Sequence, residues 1–157
     1  MPVNTAKVDG RRILNYTSLQ DVLADAERLS SGKVKSLGNW SSGQIYRHLA
    51  KAYNGSIDGF EGSFPWYIRV MAGLFKKKLI SGAMPPGIKL PDEFAKGVIP
   101  EATSTDDGLA DLRAAIARLE QEPRRAASPV FGNLTKEEWN QIHLNHAKLH
   151  MSFLVPE

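Results

Sequence analysis

The hydrophobic positions of this chain fall into four runs at helical spacing, and each run carries start or stop signals. In "YTSLQDVLADAERLSSGK", Leu19, Val22, Leu23, Ala26 and Leu29 line one helix face. Thr17 and Gln20 form a capping-box pattern ahead of that run, and Gly32 supplies a stop. In "NWSSGQIYRHLAKAYNGSIDGF", Ser41 with Gln44 repeats the capping pattern, and Ile45, Leu49, Ala52 and Ser56 share a face that His48 adjoins. Gly55 and Gly59 weaken its later turns. The third run, "STDDGLADLRAAIARLEQEP", presents Leu109, Leu112, Ile116 and Leu119; Asp106 and Asp107 suit the positive end of its dipole and Pro123 closes it. The fourth, "LTKEEWNQIHLNHAKLHMSFLVP", opens on a Thr135–Glu138 capping box and ends by Pro156.

Between the second and third runs lies a long insert, residues 61–107. Its first part, Pro65 to about Ile80, predicts a further helix, most simply one buried against the others. Its second part carries Pro85, Pro86, Pro91 and Pro100 and predicts mostly extended loop, of a length that commonly forms pocket walls, lids or interaction surfaces. Strand patterning is confined to short pieces near Val8 and Ile13. The expected architecture is all-α: one domain over residues 1–157, a four-helix bundle with an elaborated connection between helices two and three.

The bulk properties narrow the chemistry. The length of 157 residues, with 42% hydrophobic and 24% charged content, fits one soluble domain with a real core. Zero cysteines exclude disulfides, thiolate metal sites and a cysteine nucleophile, so any metal is held by nitrogen and oxygen. The N-terminal stretch lacks the apolar segment of a signal peptide, and "FPWYIRVMAGLF" is too short to span a bilayer, so a cytoplasmic protein is expected. Lys76–Lys78 and Arg124–Arg125 are not interleaved with aromatics, and nucleic acid is not an expected partner.

Three of the four histidines fall within "HLNHAKLH", as His143, His146 and His150; the fourth is His48. With Trp139 and Phe153 they follow the spacing of a core-facing seam, where leucine is ordinarily found. Burying an unsatisfied imidazole costs about 1–3 kcal/mol, so partners are required. His146 and His150 stand one turn apart and can converge on one ion, which His48 would complete if its helix lies alongside. The alternative reading is of hydrogen-bonded structural histidines, and spacing alone leaves both open. His143 reads as a packed or supporting residue, Trp139 and Phe153 as core, and Gln44 as a cap with a side chain in reach of His48. No carboxylate has an obvious place beside the histidines: Asp58 and Glu61 lie more than two turns beyond His48, and Glu138 sits at the exposed start of its helix.

"NWSSGQIYRHLA" and "HAKLHMSFL" resemble the two histidine segments of the DinB/YfiT-like superfamily of metalloenzymes. More narrowly, "GRRILNYTSLQDVLADAERL", "LGNWSSGQIYRHLA", "SIDGF", "PPGIKLP" and "SPVFGNLTKEEWNQIHLNHAKLHMSFLVP" resemble the DUF1569 family within it, over about residues 9–155. The resemblance implies a four-helix bundle holding a divalent metal ion on His48, His146 and His150. Zn or Ni are foremost, with Fe, Co, Cu or Mn also compatible with imidazole ligands. Related proteins include mycothiol- and bacillithiol-dependent S-transferases and a maleylpyruvate isomerase, while DUF1569 itself has no assigned function. Some members carry histidine where this chain has Leu149, and His143 has no role in the family pattern.

Two functions are therefore expected in competition. One is a metal-dependent enzyme acting on a small-molecule substrate, activating water or a low-molecular-weight thiol for hydrolysis or thiol S-transfer, with no catalytic base named. The other is a non-enzymatic helical interaction module with structural histidines. A homodimer suits either.

Overall fold

The computed structural model describes residues 1–157. The chain runs α1 (Leu19–Ser30), β1 (Val34–Ser36), α2 (Ser42–Asp58), α3 (Trp66–Leu74), α4 (Lys76–Ser81), α5 (Asp92–Val98), α6 (Thr105–Gln121), α7 (Lys136–Met151) and β2 (Leu154–Pro156), after a 3-10 turn at Thr5–Lys7. The protein is mostly helical, and no helix is long and apolar enough to cross a membrane.

The four helices expected from periodicity, α1, α2, α6 and α7, share one core. Val22, Ala26 and Leu29 of α1 meet Ile45, Tyr46, Leu49 and Tyr53 of α2, Leu112, Ile116 and Leu119 of α6, and Ala147 and Met151 of α7. The α2–α6 pair is the most extensive contact, and its N-terminal ends approach closely through two glycines. A Cβ on Gly43 would overlap the Ser104 carbonyl, and one on Gly108 would overlap Gly43 itself. Side-chain caps start these helices. Ser41 with Gln44 and Thr135 with Glu138 make reciprocal capping boxes as the sequence predicts. On α1 the box is one residue further on: Ser18 caps Asp21, whose carboxylate also accepts from the backbone and hydroxyl of Thr17. Aspartate is the better partner here because it lies at the dipole's positive end.

Three expectations are corrected. The strands are Val34–Ser36 and Leu154–Pro156, paired antiparallel with Lys35 opposite Val155, and neither lies near Val8 or Ile13. The segment around Ile13 is instead tied down by Arg12, which makes a bidentate pair with Asp25 and donates to the Met151 carbonyl. The proline-rich half of the insert is mostly loop, as expected, but it also holds a helix that its prolines do not predict. Pro91 precedes the short helix α5, whose first turn carries Asp92 and Glu93, as the dipole favours. Finally, α3 is a helix but not a buried one. Trp66, Tyr67, Val70, Met71, Leu74 and Phe75 are exposed, and only Ala72 and Ile80 of α3 and α4 are buried; Asn145 of α7 holds the arm by donating to the Ile80 and Gly82 carbonyls.

Candidate metal centre

The packing of α7 beside α2 brings His48, His146 and His150 together. Their ring centroids are 4.5–4.8 Å apart, and one ring nitrogen from each lies within 4.8 Å of the others. His48 Nε2 is 3.0 Å from His146 Nε2. Two imidazole nitrogens on one ion, each at about 2.0–2.1 Å, are at most about 4 Å apart, so the trio stands near the required spacing. A three-histidine cluster of this kind could bind a metal ion.

The back of the His48 ring decides its tautomer. Nδ1 is 2.7 Å from the Val98 carbonyl oxygen at the end of α5. A carbonyl only accepts, so Nδ1 carries the proton and Nε2 turns a lone pair toward His146. Such a partner fixes the orientation of a ligating imidazole. Trp40, on the segment entering α2, stacks on His150 at 5.3 Å and leans against His48 at 4.8 Å. Val98 was not legible as a site residue, because a main-chain carbonyl leaves no side-chain signal. Trp40 stands within "NWSSGQIYRHLA", where the sequence alone assigns it no contact.

Burial pushes all four histidines toward the neutral form. It lowers His48 despite the opposing Val98 hydrogen bond, with nearby Lys51 adding to the lowering. It lowers His146 and His150 well below the ordinary value, and the neighbouring imidazoles reinforce the shift. Neutral imidazole is the form that ligates a cation.

His143 points to a different place. Its Nε2–H donates to Ser56 Oγ at 2.9 Å, since the Ser56 hydroxyl is itself spent on the Tyr53 carbonyl at 2.7 Å. Trp139 stacks on one side of its ring at 5.4 Å and Tyr53 meets it edge-on. Burial, helped by Arg125, holds its pKa down at about 3. His143, Ala147 and Met151 thus form the buried row of α7, while His146, Leu149 and His150 are half-buried and line a cavity whose wall His143 also reaches, so the expected single seam is split in two. Gln44 does not reach His48; its amide oxygen caps the Ser41 N–H and its nitrogen faces the Pro100 carbonyl. Asp58 is paired with Arg118, and Glu138 with the α7 cap and Lys76.

The cavity holds about 340 Å³ and has the histidine trio at one end. The insert builds much of its wall, through Phe64, Met84, Ile88, Leu90 and Phe94, with Phe60 just ahead of it. Trp139, expected as core alone, is buried and also lines this cavity. No aspartate or glutamate does.

A family model described as "Protein of unknown function (DUF1569)" matches residues 8–157. The chain belongs to the DUF1569 family. No curated protein and no solved structure matches it. The match takes in both histidine segments of this DUF1569 protein together with the whole insert, so the cavity wall is part of the family unit.

Proposed function

We propose that this DUF1569 protein is a divalent-metal-dependent enzyme on a DinB/YfiT-like four-helix bundle, with His48, His146 and His150 as the ligands. The observation that carries this reading is the His48–His146 pair: two ring nitrogens 3.0 Å apart, the His48 one a lone pair fixed by Val98. That lone pair needs either a proton from His146 or a cation between the two rings. Zn or Ni are the first choices by ligand type, with Fe, Co, Cu or Mn also suited. When bound, such an ion lowers the pKa of water or of a thiol, which suits hydrolysis or thiol S-transfer.

The chain's own residues supply the rest. Val98 orients His48, Trp40 packs His150 in place, and the aromatic walls exclude bulk water from the trio. With no carboxylate in the cavity and no cysteine in the chain, a substrate thiol or water is the nucleophile that this reading requires. The test is activity of metal-loaded protein toward neutral esters, and toward monochlorobimane with small thiols. Activity lost in folded His48→Ala, His146→Ala and His150→Ala supports the proposal; activity indifferent to all three contradicts it.

The exposed apolar arm of α3 and α4 supports pairing of two copies, since apolar patches of this kind mark association surfaces. A dimer by light scattering that Leu74→Asp dissociates is the expected result, and a monomeric wild type contradicts it.

A further inference from the structure

We infer that the substrate of this site is a mainly apolar molecule with an uncharged body and one polar end, the body roughly one or two aromatic rings in size. The inference rests on the function proposed above and goes further by naming what the cavity selects.

None of the 22 residues around the cavity is Asp, Glu, Lys or Arg. The polar groups that do face it are mostly spent. Ser128 Oγ accepts from the N–H groups of Val130 and Phe131, and Trp139 Nε1 donates to the Ala126 carbonyl. His143 Nε2 donates to Ser56 and His48 Nδ1 to Val98. Ser128 keeps its hydroxyl proton free to donate. The other ring nitrogens gather where His48, His146 and His150 converge. A ligand therefore meets polar side-chain groups chiefly at that end, and most of its remaining surface must be content with hydrocarbon.

The far wall has a shape as well as a polarity. Phe94 packs between Phe60 and Phe64, at 5.5 and 5.1 Å, and Phe60 stacks on Trp139 at 6.3 Å and 27°. This aromatic sequence offers faces and edges to a flat ring. A carboxylate or phosphate on the body of the ligand would enter without a counter-charge, which is strongly unfavourable in such surroundings.

The probes are 2-naphthylmethanol, 2-naphthylacetate and reduced glutathione. Each is titrated against the full chain, both stripped with chelator and loaded with Zn, and binding is read by tryptophan fluorescence and isothermal titration. The expected result is that the metal-free form binds 2-naphthylmethanol at least about tenfold more tightly than the other two, while in the loaded form the ion's own charge offsets that preference for a ligand with an anionic end. Half-buried Phe94→Asp weakens 2-naphthylmethanol binding by about tenfold. Ile88→Asp, at a position 63% exposed and so safe for folding, weakens it in the same direction. Tighter binding of 2-naphthylacetate or glutathione by the metal-free form overturns the inference, as does 2-naphthylmethanol binding that neither substitution affects. The two readings fail separately. Protein that takes up no metal yet binds 2-naphthylmethanol in the cavity removes the metalloenzyme and leaves the selectivity. Histidine-dependent metal binding by a protein whose metal-free form prefers the anions does the reverse.

Discussion

The carbonyl oxygen of Val98 receives the Nδ1–H of His48 at 2.7 Å, across 50 residues of sequence. The contact joins α5, in the insert, to the histidine trio on α2 and α7. The insert is thereby both the cavity's wall and the support for one imidazole.

Replacing residues 91–98 by a Gly/Ser linker of equal length removes that support while leaving the α1–α2–α6–α7 core intact. Loss of an outer hydrogen bond to a ligating histidine typically costs 10–100-fold in metal affinity, and weakening of about that size is expected. Competition with a chromogenic chelator measures it. Unchanged affinity would show that Val98 does not orient His48.

Acid destabilises the metal-free protein through its histidines. An unfolded imidazole titrates near 6.5, whereas in the fold His143 is held at about 3 and His146 and His150 well below the ordinary value. Below pH 6.5 the unfolded chain binds protons that the folded chain does not. Stability is therefore complete above that pH and lost as pH falls toward the folded values, by about 1.4 kcal/mol per pH unit for each histidine. Urea midpoints between pH 7 and pH 5 should fall steeply, and His143→Gln should flatten the slope by one proton. A flat wild-type profile contradicts the burial of these rings as neutral groups.

Asp25 holds the N-terminal segment to α1. Its carboxylate accepts from Arg12, Arg28 and the Tyr16 hydroxyl, and with side-chain exposures of 16% for Arg12 and 11% for Asp25 the pair is largely out of water. Asp25→Ala leaves Arg12 uncompensated and should cost about 3–5 kcal/mol, part of which Arg12→Met restores in the double variant. Thermal unfolding of the three variants checks both statements.

Helix existence was legible because it depends on local signals. Leu19–Leu29, Ile45–Ala52 and Leu112–Leu119 repeat at helical spacing, and Ser41 and Thr135 cap as their side chains dictate. The histidines His48, His146 and His150 were legible as a set, because imidazoles at apolar positions call for partners. What escaped the sequence depends on distant contacts. Helix α5 forms beneath a proline-rich pattern because Phe94 and Val98 find apolar neighbours, and β1 pairs with β2 only once α7 has returned the chain to Val34. The exposure of Trp66 and Leu74 could not be read either, since apolar spacing is the same whether a helix meets its own core or another surface. Gly43 and Gly108 gave no sign that they let α2 and α6 touch.

The central claim is that His48, His146 and His150 hold one divalent ion. Metal content of the tag-free protein by elemental mass spectrometry, beside folded His48→Ala, His146→Ala and His150→Ala, tests it most directly. The account predicts close to one equivalent in the wild type and its loss in each of the three variants. A wild type that takes up no metal after incubation with Zn and Ni would contradict it.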